Sequence, residues 1–475
     1  MAAARRKTGS RAGSRPSEAA PGDNVGGSVP GDTTPAPGTT GRYLVLMDVN
    51  EVQHGVEMLS DTLGVEVLRS ADYDNQAVDA ETLQEADAIV FDNLAVAVVN
   101  APPEQFGALS AAAATDSGIL AIEPERIVYA ISDLPVDLNM PVLEDDQPNL
   151  TDPTLLQYLL GYRDAVNQLV ARFVPASAEA TLTRTPSAAA FDEANLTWGL
   201  QATRVSESRF TGRGVRVAVL DTGMDLQHPD FVGRTIVSRS FVQGEAVQDG
   251  HGHGTHCIGT ACGSRQPSRL PRYGIATEAE IYAGKVLSNA GSGGDSGILA
   301  GIAWAIQNKC AVISMSLGAP TSVGQSYSRV YETVARRALA AGSLIVAAAG
   351  NESRRPGRID PVSHPANCPS IISVAAVDSA FQIAPFSCGG RNPNGGQVDL
   401  AGPGVNVYSS LPRPRLNGRL NGTSMATPHV AGIAALFAEA NPDVRGGALG
   451  WLLLQSARRL PLPTSDVGAG LVQAP

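Results

Sequence analysis

From Trp198 onward, short runs that are apolar at almost every position alternate with longer stretches of helical spacing, and this alternation constrains the fold more than any other feature. VRVAVLD, EIYAGKVL, AVISMSLG, SLIVAAAG and SIISVAAVD lack the in–out alternation of a half-exposed strand. Strands of that kind are buried on both faces, the environment of a parallel sheet covered by helices. ILAGIAWAIQNK, SYSRVYETVARRALAAG and PHVAGIAALFAEANP supply the covering helices. The expected architecture is α/β, a mostly parallel central sheet with helices on both faces and right-handed crossovers. In such a sheet, chemistry gathers at the carboxyl ends of the strands.

The chain before that domain divides into three. Residues 1–41 are dominated by Gly, Pro, Ser, Thr and Ala and carry too little apolar surface to offset the entropy of ordering, so a disordered low-complexity tail is expected. RYLVLMDV then reads as a strand, followed by a helix with Val52, Val56, Leu59 and Leu63 on one face. VEVLRS and DAIVFDNLAVAVVNA read as two more strands, PPEQFGALSAAAAT as a helix and GILAIEPERIVYAI as the last strand. That order, β-α-β-β-α-β, is the split βαβ or ferredoxin-like arrangement, an α+β domain over residues 42–132. Residues 133–195 read as a connector with one amphipathic helix, Leu155, Leu159, Tyr162, Val166 and Leu169 forming its apolar stripe. The α/β domain takes residues 196–475.

Composition narrows the function classes. A net charge of -11 argues against general nucleic-acid binding, which needs a basic surface. No run of apolar residues is long enough for a membrane span. The arginine pair near the N-terminus has no apolar stretch after it, so neither a Sec nor a twin-arginine signal is read. The reading leans to the cytoplasm, or to export by a route without such a signal. Cysteines stand at 257, 262, 310, 368 and 388, an odd number without a C-x-x-C pair. Free thiols are expected, with Cys368 and Cys388 the pair that an oxidising compartment would join.

Three segments carry chemistry. Asp221 ends an apolar run and precedes Thr222-Gly223, which sets a carboxylate at the rim of the sheet, although D-T-G alone also occurs in aspartic proteases. DGHGHGTHCIGTACG holds His251, His253 and His256, but H-x-H-x-x-H lacks the glutamate of a zinc-protease helix. In NGTSMATPHVAG, Ser424 lies where a glycine loop enters a helix, whose free N–H groups would meet an oxyanion formed beside it. Ala426 stands where G-x-S-x-G has its second glycine, which argues against a lipase-type hydrolase.

These segments come in the order Asp, His, Ser. DTGMDLQHPDF, HGTHCIGT and GTSMATPHVAG, together with SMSLG and VAAAGNE, make the sequence resemble the subtilisin-like serine proteases, or subtilases, from about Trp198 to the last residue. The cysteine after H-G-T-H is similar to that of the proteinase-K-like branch. The resemblance implies a serine endopeptidase in which Ser424 attacks the peptide carbonyl, His253 is the general base and Asp221 orients it. It implies Asn351 and the Ser424 N–H as oxyanion donors. Ser316, Leu317 and Gly318 match one substrate-binding edge, and Gly291, Ser292 and Gly293 the other, so that a polypeptide substrate adds as a strand between them. Ala348, Ala349 and Gly350 match a wall of the pocket for the residue before the scissile bond. Glu352 or Asp360 near its mouth would favour a basic residue there, the plainer reading being solvated loop charge. His251, His256 and His429 read as structural, and Cys257 as an apolar filler close to His253.

No cofactor is needed for this chemistry. Structural calcium is a family feature, but the stretch that corresponds to its loop reads GSRQPSRLPRYG, without carboxylates, and Asp230 is a single matching ligand. Residues 42–132 resemble the subtilase prodomain in fold order and position, which implies a self-processing proenzyme whose own N-terminal domain assists folding and inhibits the site. The sequence does not assign the cleavage point. The alternatives are a catalytically silent peptide-binding pseudoprotease and a metal-dependent hydrolase built on the histidine cluster.

Overall fold

A computed structural model describes residues 38–73, 78–113, 118–131 and 191–475. The tail up to residue 37 and the connector helix expected around 155–169 lie outside these residues.

The first strand, β1 (Thr39–Met47), begins inside the segment expected to be tail. After it come α1 (Val52–Leu63), β2 (Val67–Arg69), α2 (Ala80–Glu85), β3 (Ala88–Phe91), β4 (Val96–Val99), α3 (Pro103–Ala113) and β5 (Ile119–Ala130). The sheet order is β5-β1-β4-β3-β2. Without the short edge strand β2, this is a split βαβ sheet, antiparallel at every neighbour. Two details differ from expectation. AIVFDNLAVAVV is a hairpin rather than one strand: Asp92-Asn93 opens its turn, and the buried Leu94 and Ala95 complete it. Helix α2 is too short for its periodicity to show, and Asp79 caps it by accepting the Thr82 N–H at 2.7 Å.

The main sheet has the order β14-β13-β12-β10-β6-β8-β7. These are β6 (Arg216–Asp221), β7 (Ile236–Ser240), β8 (Glu280–Lys285), β10 (Val312–Met315), β12 (Leu344–Ala348), β13 (Ile372–Val377) and β14 (Leu400–Pro403), all parallel. Alternate residues serve opposite cores. Ala218, Leu220, Ile313, Met315, Ile345 and Ala347 enter one cluster, and Val217, Val219, Val312 and Val346 the other. The first face carries α6 (Asp295–Gln307) and α7 (Arg329–Ala340), and the second carries α5 (His253–Cys262) and α8 (Thr423–Ala440). Sequence periodicity missed the edge strands β7 and β14. β7 is half exposed with a serine at its third position, and LAGP in β14 ends in residues that usually mark loops.

The N-terminal sheet is covered on one face by α1 and α3 through Leu59, Leu63 and Leu109. Its other face, with Leu44, Leu46, Phe91, Val96 and Val98, shares a core with α6 and α7. Two glutamates of β5 meet the N-termini of these helices. Glu125 is fully buried, pairs with Arg42 at 2.7 Å and accepts the Ser296 N–H at 2.8 Å. Glu123 accepts the Arg329 N–H and the Ser328 hydroxyl, both at 2.6 Å. A carboxylate at a helix N-terminus contributes about 0.3–1 kcal/mol when exposed and up to about 2 kcal/mol when partly buried. Among the described residues no helix is long and apolar enough to cross a membrane.

Candidate active site

The carboxyl end of β6 delivers Asp221, only 1% exposed, to the rim of the sheet. Its Oδ1 accepts the Thr222 N–H and the Nδ1–H of His253, each at 2.7 Å. His253 opens α5 and is fully buried. The start of α5 is held by Asp249, whose carboxylate accepts the N–H groups of His251, Gly252 and Thr255 and the hydroxyls of Thr222 and Thr255. Gly254 permits a close approach there, since a Cβ would lie 2.3 Å from the Gly223 carbonyl oxygen. Burial alone would push the His253 imidazole down, but the Asp221 carboxylate outweighs it and holds the group well above its ordinary value.

Ser424 is the second residue of α8. Its hydroxyl donates to the Ser316 carbonyl at 3.0 Å, and the Ser316 hydroxyl donates to the Ser424 carbonyl at 2.9 Å. His253 Nε2 has no hydrogen-bond partner, so the hydroxyl–imidazole bond is not formed in this state. Cys257, one turn beyond His253, touches both sides of the site, its sulfur 3.9 Å from His253 Nδ1 and 3.6 Å from the Ser424 carbonyl oxygen. Burial raises its pKa, so it is a protonated thiol.

Asn351 Oδ1 accepts the Thr423 N–H and hydroxyl, both at 3.0 Å, which fixes the direction of its amide. The amide nitrogen donates at 3.1 Å to the carbonyl oxygen of Ile131, the residue after the end of β5. The last turns of chain before Ile131 lie between two catalytic-domain edges. Tyr129 and Ala130 pair with Gly318 and Leu317 of β11 (Leu317–Gly318), and Ile127, Val128 and Tyr129 pair with Gly294, Gly293 and Ser292 of β9 (Ser292–Gly294). The Ala130 N–H donates to the Gly291 carbonyl at 2.8 Å and the Ile131 N–H to the Ser316 carbonyl at 3.4 Å. Both edges read from the sequence are therefore brought together around one strand.

The Ile131 side chain lies beside Gly318, its Cδ1 only 2.9 Å from where a Gly318 Cβ would sit, with Ser363 Cβ 3.5 Å from the same point. Gly350 has φ +112°, and a Cβ there would fall among Ser363 Oγ, Glu352 Oε2 and Cys388 Sγ. Ala348 and Ala349 are fully buried beside it in sequence. Glu352 Oε2 accepts the Ser363 hydroxyl at 2.9 Å and the Cys388 thiol at 3.0 Å, and Asp360 pairs with Arg358. That engagement gives no support to a basic preference from these two carboxylates. Asp249, Ser363 and Cys388 escaped the sequence reading. Asp249, four places before His253, is the one that a motif could have shown.

The three histidines of the second segment do not form one ligand set. His256 Nε2 donates to the Val407 carbonyl at 3.0 Å, and burial lowers its pKa to about 3. His251 stacks edge-on at 6.2 Å from His253, its pKa lowered by burial and by the charge of His253. His429 Nδ1 donates to the Met425 carbonyl at 2.8 Å, inside α8, and burial lowers its pKa to about 4. Donor atoms of Asp221, His253 and Cys257 lie within 4.8 Å of one another, but Asp221 and His253 already bond each other and the thiol stays protonated. At the calcium-ligand position, Asp230 accepts the Ser268 N–H at 2.6 Å and the Tyr273 hydroxyl. The Asp230 carboxylate is thus already engaged, and the segment 263–274 has no carboxylate to join it around a calcium ion.

The profile described as the Subtilase family covers residues 212–470. The chain belongs to the subtilase family. Over 245 residues it is 43% identical to Subtilisin of Bacillus pumilus, a match covering 51% of this chain and 83% of that one. It is also 43% identical to Subtilisin E of Bacillus subtilis (strain 168), over 51% of this chain and 60% of that relative. With Subtilisin Savinase of Lederbergia lenta it shares 40% identity, over 58% of this chain and 96% of the relative. This subtilase is a serine peptidase of the subtilisin type, and its main sheet is the α/β architecture expected from the sequence.

Proposed function

We propose that this subtilase is an endopeptidase that hydrolyses peptide bonds through Ser424, His253 and Asp221, and that its first substrate is its own Ile131–Ser132 bond. The observation that carries the reading is the Ile131 carbonyl, hydrogen-bonded to Asn351 at the end of a strand that fills the substrate groove. In this reading the Ser424 hydroxyl attacks the Ile131 carbonyl carbon while His253 takes its proton. The oxyanion is met by Asn351 Nδ2 and the Ser424 N–H. The C–N bond then breaks, the amino group of Ser132 leaves with the proton from His253, and water hydrolyses the acyl-enzyme. Residues up to 131 remain as an inhibitor, held by the two groove edges and by Glu123 and Glu125 at the helix ends.

The test is mass spectrometry of the N-terminal fragment in purified protein. A fragment ending at Ile131 is expected, whatever later trimming removes from the catalytic part. A first cut elsewhere, or full activity in an uncut chain, would refute the assignment. The intact set of active-site residues and the subtilisin relatives disfavour the catalytically silent groove.

The same reading dispenses with calcium at the Asp230 site, where a tyrosine hydroxyl and a backbone N–H stand on the carboxylate. Adding a chelator such as EGTA is expected to leave the melting temperature unchanged to within about 1 °C. A shift of several degrees, the size that about 1 kcal/mol produces, would show a structural calcium site. All five cysteines are buried and unpaired, Cys368 and Cys388 included, which suits a reducing compartment.

A further inference from the structure

We infer that Asp295 forms a sixth substrate subsite, a buried carboxylate that takes the main-chain N–H of the residue six places before the scissile bond. The inference rests on the reading that Ile131 occupies the place before that bond. Counting back, Val128 is fourth, Ile127 fifth and Arg126 sixth.

The strand pairing of the groove ends at the fifth place, where Ile127 faces Gly294, the last residue of β9. The next residue of the edge is Asp295, and its side chain continues what the backbone no longer provides. Its Oδ2 accepts the Arg126 N–H at 2.9 Å. Its Oδ1 accepts the Tyr331 hydroxyl at 2.9 Å and faces His364 Nε2 at 3.3 Å. The two rings pack edge to face at 4.6 Å, so the carboxylate is gripped from α7 and from the loop that carries His364. Asp295 and Tyr331 are fully buried and His364 is 2% exposed. Burial opposes the charge of Asp295, but His364, the positive charge of Arg126 and the Arg126 N–H together outweigh it and hold the carboxyl below its usual value. A buried ionised acceptor in a fixed orientation makes a stronger hydrogen bond than a neutral one, and leaves a costly vacancy when its donor is missing.

The substrate class follows. The hydrogen bond is to the main chain, and the positive charge of a basic residue at the sixth place adds to it. It favours extended, unstructured polypeptide with at least six residues before the cut, and it disfavours proline at the sixth place, which has no N–H to give. Short peptides of four residues forgo this contact.

The experiment compares three quenched fluorescent peptides on the processed wild-type enzyme. One carries the sequence Glu-Arg-Ile-Val-Tyr-Ala-Ile-Ser, the second has an ester in place of its Glu–Arg amide, and the third lacks the first two residues. The ester is expected to lower kcat/KM about tenfold, chiefly through KM, and the truncated peptide to be cut about as poorly as the ester. In Asp295→Ala the amide and ester peptides become equivalent. Equal cleavage of amide and ester by the wild type overturns the subsite, with no variant needed. If none of the three is cut, or Ser424→Ala cuts them equally well, the failure lies instead with the proposed active site.

Discussion

Ser424→Ala is expected to leave the 475-residue chain in one piece and to lower peptide hydrolysis by on the order of 10⁶-fold. Loss of the nucleophile has an effect of that size in subtilisin, a relative. The structural part of the expectation comes from this chain. The Ser424 hydroxyl makes one hydrogen bond, to the Ser316 carbonyl, and the helix around it is buried by apolar neighbours from Met425 to Ala438. Removing a single hydroxyl therefore costs about 1 kcal/mol of stability or less, and the groove keeps its strand. The variant should accumulate as uncut proenzyme with Ile131 still on Asn351. Intact mass and labelling by a fluorophosphonate probe check both halves. The wild type should label at Ser424 once processed, and the variant not at all. A variant that cuts itself at the wild-type rate would remove Ser424 from the mechanism.

What the sequence disclosed depended on how local each feature is. Asp221, His253, Ser424 and Asn351 each sit where a strand ends or a helix begins, and the residues that shape those junctions are their immediate neighbours in the chain. Gly254 beside His253 and Thr423 beside Ser424 are read together with them for that reason. The two groove edges, around Gly291 and Leu317, were implied by the resemblance of their short motifs to the family. That residues 42–132 inhibit the site was implied by the family resemblance, but the residue at which the strand reaches Asn351 was not. Ile131 reaches Asn351 only because β5 pairs in register with β1, β9 and β11, and register is set by tertiary contacts. Ser363, Cys388 and Asp295 were hidden in the same way, being polar residues whose partners lie 11 to 169 positions away. The hairpin of β3 and β4 was missed although Asp92-Asn93 marks its turn, because the apolar Leu94-Ala95 that follows lets the two runs read as one.

Asp221→Asn should separate the orienting role of this residue from its charge. An asparagine oxygen can still accept the N–H groups of Thr222 and His253, so the ring stays in place while the negative charge disappears. The rate is expected to fall by about 10⁴-fold, a scale taken from serine proteases including subtilisin. The pH profile should move as well. In the wild type the imidazole is held well above its ordinary value, and only its neutral form can take the serine proton, so kcat/KM should climb through alkaline pH before levelling. Without the carboxylate the largest influence that raises the imidazole is gone and burial lowers it, so the acidic limb should shift to lower pH. Stability has the opposite sign. A histidine whose folded pKa is raised contributes stability that is fully present below its unfolded pKa of about 6.5, and that is lost as pH rises through the folded value. The variant should therefore be destabilised more at pH 6 than at alkaline pH, measured as melting temperature in a Ser424→Ala background to prevent self-digestion. An acidic limb that stays where the wild type has it would mean that the Asp221–His253 contact does not govern the base.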